Sequence, residues 1–401
     1  MLFEHRCSSL LSIAPDPTQQ PDRPSDAVAA VACSRPALWP PCSRPPYPIT
    51  AARAGVPSLS NLFVFGDSLS DSGNAGPLTG GAYTPAPYVG NRVSNGPVAV
   101  EYLWQTFNPG NTDFKPSLKG GTNYSIIGAT TGLKNNLQVF TPPIAPFADK
   151  GSTWQLNQFK AAYPTSSSFN PETSLFLLWL FPNDVLYCRN TLTHPLTGAC
   201  TGVGTSAGVD STPTNLPFVP GLAVSNLIAS INTLATAGAR NFLVVNSPDI
   251  GLSPAFSGNP LKNTVSALSQ GFNTALEINL NEFATDNPQL DIELFHVDDA
   301  LKGLTANPSH YGFTNVTDPC LTNMGVCSDP STYLFWDTLH PTTRTHEFLA
   351  QQLYGVAYDP VPAPMPFFGG LAAMGWSRRL RQRLRQNRQG QEVQQTTAGR
   401  D

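Results

Sequence analysis

The sequence predicts a three-layer α/β domain built on a parallel sheet. Three observations carry that prediction. Short, continuous apolar runs of strand length recur along the chain, stretches of helical length and pattern separate them, and the runs are apolar without alternation. A strand covered on both faces reads as an unbroken apolar run, which is the habit of parallel sheets. Strands alternating with helices put those helices on the two sides of such a sheet.

The strand candidates are LFVF at 62–65, SLFLLWLF at 174–181, NFLVV at 241–245 and IELFHV at 292–297. Among the helices, PVAVEYLWQTF at 97–107 opens with proline after Ser-Asn-Gly, a sound helix start. Residues 221–237 carry Leu222, Val224, Leu227, Ile228, Ile231 and Leu234 and stop at Gly238. Residues 261–285 read as a longer amphipathic helix and 342–354 as a last one. No internal repeat is visible.

Four segments organise the 401 residues: 1–55, 56–360, 361–388 and 389–401. The first is dense in Pro, Ser and Arg without sustained periodicity, the composition of a disordered leader or of a wrongly chosen start. It has no clear apolar run with a small-residue cleavage site, so no signal peptide is assigned. The second holds 11 Lys/Arg against 21 Asp/Glu, which leaves it acidic and without an electrostatic footprint for nucleic acid. The third, VPAPMPFFGGLAAMGW followed by SRRLRQRLRQNR, joins a short apolar stretch to an arginine cluster. Its sixteen apolar-side residues fall just short of the roughly 17–25 that span a bilayer, although arginines can snorkel and extend the reach. Transient membrane association is the expectation, and a surface or disordered tail is the alternative. The last segment reads as a disordered tail.

Seven cysteines are present. Cys188 and Cys200, and Cys320 and Cys327, lie in loop-like sequence at spacings that could close local disulfides in an oxidising compartment. Free core thiols are the alternative. No CxxC and no zinc-knuckle spacing occurs.

The first strand runs directly into FGDSLSDSGN at 65–74. A serine just past the carboxyl end of a parallel strand stands where α/β sheets bind ligands. Ser68 needs a base to become a useful nucleophile, and the chain has only six histidines. His5 lies in the leader, His194 in the Cys188–Cys200 loop and His296 in a strand pattern. His310 is in a loop with no nearby carboxylate, and His346 lies along the last helix. His340, in FWDTLHPTT, follows Asp337 by three residues. One turn can then supply both a base and the carboxylate that orients it. Acyl transfer also needs donors for an oxyanion. Gly128, in GGTNYSIIGATTG, could bring a backbone N–H close to a ligand, and Asn183, in WLFPND, could offer its side-chain amide. A turn glycine and a turn Asn-Asp pair are the plainer readings of those two.

Four segments in order, FGDSLSD, NYSIIGA, PND and DTLH, resemble the four blocks of the SGNH/GDSL hydrolases and span 61–340. RVSNGPVAVEYL at 92–103 is similar to the lipase/esterase branch of that family. The resemblance implies a flavodoxin-like domain with a parallel sheet of about five strands. It implies Ser68 as nucleophile, His340 as base and Asp337 as its orienter. It further implies oxyanion donors at the Ser68 and Gly128 N–H groups and at Asn183, with no metal or organic cofactor. In the third block Phe181-Pro182 precede Asn183-Asp184, where the family has Gly-x. A bulky Phe and a φ-restricted Pro could re-aim that turn or narrow the acyl pocket. The segment from Val361 to Arg388 resembles a PEP-CTERM sorting signal, which implies export to the bacterial envelope and cleavage by an exosortase-type enzyme.

The expected function is hydrolysis of a lipid, short-chain or O-acetyl ester through an acyl-enzyme. Transfer of the acyl group to an alcohol or sugar would use the same residues. A non-catalytic envelope-binding protein on the same fold is the third reading.

Overall fold

The computed structural model describes residues 58–140, 142–191 and 220–357. The expected leader, Cys200 and His194, the 361–388 segment with its sorting signal and arginine cluster, and the tail lie outside the described residues. All the described residues belong to the unit Gly55–Asp401.

Four strands form a parallel sheet in the order β1 (Asn61–Gly66), β2 (Ser174–Trp179), β3 (Asn241–Val245) and β4 (Asp291–Phe295). The apolar runs fall on them with shifts of one or two residues. Alternation along β1 sends Leu62 and Val64 to one core and Phe63 and Phe65 to the other. β2 and β3 divide in the same way, so the sheet is buried on both faces, as its unbroken apolar sequence requires. The phenylalanine side, where Phe63 stacks on Phe176, is covered by α3 (Ser152–Ala162), α5 (Pro220–Thr236) and α6 (Lys262–Asp286). The other side is covered by α2 (Ala99–Phe107), α7 (Val297–Ala306) and α8 (Thr343–Ala357). This is the three-layer α/β arrangement.

The sheet has four strands where about five are expected, and the reason lies at the free edge of β1. Residues 122–126 run beside it: Val64 N–H donates to Thr122 O, Tyr124 N–H to Val64 O, and Ile126 N–H to Gly66 O. The hydrogen bonds are those of a fifth, parallel edge. The segment is nevertheless irregular, because Asn123 turns its side chain inward to Ser70 O and Ser72 Oγ. The apolar run 292–297 also divides in two: the strand ends at Phe295, His296 precedes the helix, and Val297 opens α7.

Two small additions come after the sheet. β5 (Asn315–Pro319) pairs with β8 (Tyr333–Phe335), and β6 (Leu321–Thr322) with β7 (Gly325–Val326) forms a hairpin closed at its base by a Cys320–Cys327 disulfide. Cys188 is buried and disulfide-bonded. Among the described residues no helix is long and apolar enough to cross a membrane.

Candidate active site

β1 ends at Gly66, whose peptide is gripped from α3: Gly66 N–H donates to Gln155 Oε1 and Gln155 Nε2 donates back to Gly66 O, at 2.9 and 2.8 Å. The chain then closes one tight turn. Ser70 and Asp71 N–H groups donate to Asp67 O, and Leu69 N–H donates to Asp67 Oδ1. Ser68 is thereby held at the carboxyl edge of the sheet, where open α/β sheets bind their ligands.

The histidine comes from the far end of the chain. β8 leads through Trp336 into the turn Asp337–His340, closed by Trp336 N–H donating to His340 O at 2.7 Å. Asp337 Oδ1 accepts from the N–H groups of Leu339 and His340, both at 2.8 Å, so the carboxylate fixes its own turn. His340 Nδ1 stands 2.9 and 2.8 Å from the two Asp337 oxygens, and His340 Nε2 is 3.0 Å from Ser68 Oγ. With Nδ1 donating to the carboxylate, Nε2 is left to accept the serine proton. Burial works against the imidazolium, but the charge and hydrogen bond of Asp337, with the charge of Asp67, carry His340 above its ordinary value. Burial alone would raise the Asp337 carboxyl. The charge and hydrogen bond of His340, with the two N–H groups of the turn, outweigh burial and hold that carboxyl below its ordinary value. His346 lies fully buried in α8, its imidazole pushed down to about 3 by burial and by the charge of His340.

The other two expected oxyanion donors, Gly128 and Asn183, line the same cleft as Ser68 and His340. Gly128 has φ +78, and a Cβ there would meet Asn135 Oδ1 at 2.5 Å and Leu137 Cγ at 2.8 Å, so both conformation and space ask for glycine. Its loop is fixed by Ile127 N–H donating to Asp71 Oδ2 and by Asn135 Nδ2 donating to Ile127 O. Neither the Ser68 nor the Gly128 N–H has an acceptor among the described residues. Asn183 Nδ2 donates to Asp67 Oδ2 at 3.1 Å, which leaves its second amide hydrogen for a ligand. Asp67 is pushed up to about 6 by burial, against the opposing pull of the Leu69 N–H, the charge of His340 and the Asn183 amide.

The altered third block keeps the turn. α4 (Pro182–Thr191) begins with proline at its first position, where no N–H is needed. Asp184 N–H donates to Phe181 O, and its carboxylate accepts from the Thr131 N–H and hydroxyl at 2.9 and 2.6 Å, tying α4 to the Gly128 loop. Phe181 takes φ 151, a conformation that suits glycine, and holds it with its ring. The ring is buried face to face on Phe272 with centroids 3.9 Å apart, so it enters the core and leaves Pro182 and Asn183 to line the cleft. Phe181→Ala is expected to cost about 3–5 kcal/mol for the lost ring. Phe181→Gly loses the same ring but recovers about 1–3 kcal/mol of backbone strain. Urea unfolding should therefore rank wild type above Gly and Gly above Ala. An alanine variant at least as stable as the glycine variant would contradict the strain.

The cleft encloses about 1250 Å³ counting its open mouth. Leu69, Leu137, Leu186, Ile250 and the half-exposed Phe140 and Leu252 give it an apolar wall. Two contributors had no local signature in the sequence. Gln155 reaches Gly66 across 89 positions, and Tyr88 donates its hydroxyl to Asp337 Oδ2 at 2.9 Å across 249.

A hydroxyl so placed can lose its proton to the imidazole and attack an acyl carbon, a geometry that suits a hydrolase of three-layer α/β architecture. Within that class the chain belongs to the GDSL-like Lipase/Acylhydrolase family, whose model matches residues 62–353. Esterase EstA of Pseudomonas aeruginosa is 28% identical over 344 residues, covering 78% of this chain and 49% of that protein. The thermolabile hemolysin of Vibrio parahaemolyticus is 24% identical over 319 residues, covering 74% of this chain and 63% of that protein. The crystal structure of Axe2, an acetylxylan esterase from Geobacillus stearothermophilus, matches with TM-score 0.37 and 13% identity, over 76% of this chain and 97% of that one. The chain spans about half the length of the first curated relatives it matches, at 50%, 46%, 44% and 49%.

Proposed function

We propose that the protein hydrolyses carboxylic esters through an acyl-enzyme on Ser68, with an apolar acyl group seated in the cleft. The contact that carries this reading is Ser68 Oγ at 3.0 Å from His340 Nε2, with Asp337 behind the imidazole. Ser68 Oγ attacks the acyl carbon as His340 Nε2 takes its proton. The oxyanion is received by the Ser68 and Gly128 N–H groups and by Asn183. The carbon–oxygen bond to the alcohol then breaks, and the alcohol leaves with the proton from His340. Water attacks the acyl-enzyme and gives a proton to His340, which passes it to Ser68 Oγ as the bond between Oγ and the acyl carbon breaks and the acid leaves.

Membership of a lipase and acylhydrolase family supports ester cleavage as the reaction. The leucine- and phenylalanine-rich wall supports an acyl chain longer than acetyl. A series of p-nitrophenyl esters from acetate to decanoate tests the substrate class. Burial of a methylene is worth about 0.8 kcal/mol, so kcat/KM should climb by up to roughly fourfold per methylene before it levels. A series in which acetate is the best substrate would contradict the apolar acyl site and favour O-acetyl esters. We also propose export to an oxidising compartment, a reading supported by the Cys320–Cys327 disulfide.

A further inference from the structure

Asp337 Oδ2 accepts two hydrogen bonds, one from His340 Nδ1 at 2.8 Å and one from the Tyr88 hydroxyl at 2.9 Å. Among the described residues no lysine or arginine pairs with Asp337. The phenol is therefore the one side chain, besides His340, that bonds this carboxylate there.

The phenol is delivered by a fastened loop. Residues 80–97 connect α1 (Ala75–Thr79) to α2 and are sewn to the segment just after His340. Ser94 Oγ donates to Pro341 O at 3.0 Å, Thr343 N–H to Asn95 Oδ1 at 2.8 Å, and Thr343 Oγ1 to Pro97 O at 2.8 Å. Gly96 permits this approach, since a Cβ there would meet Thr343 Oγ1 at 2.7 Å. Within the loop, Tyr88 N–H donates to Pro85 O and Val89 N–H to Ser94 O, and Arg92 pairs with Glu101 on α2. The Tyr88 ring stands edge-on to Trp336, the residue before Asp337. Burial, and then the charge of Asp337, push the phenol well above its ordinary value, so it stays protonated and donates.

We infer that Tyr88 is a positioning residue of the proposed ester hydrolysis, fixing the Asp337 carboxylate and drawing off part of the charge that His340 would otherwise receive. A hydrogen bond to an ionised carboxylate stabilises its charge and weakens its pull on a second partner. Tyr88 thus keeps His340 aligned yet less basic than Asp337 alone would make it. The groups that bear on His340 are Asp337 on its own turn, Asp67 after β1 and His346 on α8. Tyr83 and Tyr88, from the loop, face the charge of Asp337, which after burial raises both phenols.

Tyr88→Phe removes the hydroxyl and keeps the ring against Trp336. Two measurements on the full chain decide the matter: the NMR titration of the His340 imidazole without substrate, and the pH profile of kcat/KM on p-nitrophenyl butyrate. His340 should titrate about half a unit higher in the variant, and the acid limb of kcat/KM should move up with it. Near neutral pH, kcat should fall about tenfold, a fraction of what acid–base catalysis supplies, with KM within about twofold. 3-Fluorotyrosine at position 88, a stronger donor on the same frame, should move His340 in the opposite direction. His340 titrating as in wild type in both variants overturns the inference. The imidazole titration needs no turnover. An inactive wild type would therefore overturn ester hydrolysis alone, and an unmoved His340 would overturn the role of Tyr88 alone.

Discussion

Ser68→Ala is expected to lower kcat for ester hydrolysis by about 10⁶-fold while leaving the fold in place. The size of the loss comes from the chemistry. Without Oγ there is no atom to hold the acyl group, and His340 has no hydroxyl to deprotonate. The small structural effect comes from the contacts. Among the described residues the Ser68 side chain bonds only His340 Nε2, and its turn is held by Asp67 O and Asp67 Oδ1, which the substitution leaves untouched. Stability should change by no more than about 1 kcal/mol. Steady-state kinetics with thermal unfolding on the same preparation checks both halves. A folded variant that retains a tenth of wild-type turnover would remove Ser68 from the reaction.

Asn183→Ala is expected to lower kcat by about 10²–10³-fold with little change in KM, because its amide serves the oxyanion more than the ground-state ester. A second effect separates this site from a generic defect. The Asn183 amide is one of the groups that favour the ionised form of Asp67, a carboxyl that burial already pushes up to about 6. Without that donor Asp67 should hold its proton to a still higher pH. Below that pH the Asp67 charge that supports the His340 imidazolium is lost. Turnover in the variant should therefore respond to pH just above about 6, where Asp67 in the wild type is ionised. Asn183→Ala with wild-type kcat would leave the oxyanion to the two backbone N–H groups alone.

The fold was legible because its strands are apolar on both faces. β1, β2 and β3 announce themselves as runs such as LFVF and NFLVV, with nothing polar to blur them. The edge at 122–126 was not legible as a strand, since Asn123 spends its side-chain amide on Ser70 O and Ser72 Oγ of the serine turn. α4 was hidden by its weak periodicity, and α7 by the apolar run of β4 that leads straight into it. Around the site, FGDSLSD and DTLH mark residues whose spacing within one turn already implies a shared task. The structure brings Ser68, His340 and Asp337 into one hydrogen-bonded line across a separation of 272 positions. Gln155 and Tyr88 escaped notice because each acts alone on a partner far away in the chain, and a single Gln or Tyr in a loop or helix has no local pattern. Phe181 shows the converse. The sequence marks it as a departure from the family, and the structure shows a glycine-like backbone held by stacking on Phe272.

Activation of Ser68 as a nucleophile is read out by covalent labelling. Wild-type protein treated with a fluorophosphonate probe should gain one adduct by intact mass, mapped to the peptide carrying Ser68 and abolished in His340→Ala. A folded protein that stays unmodified at Ser68, or that labels equally without His340, would contradict the account.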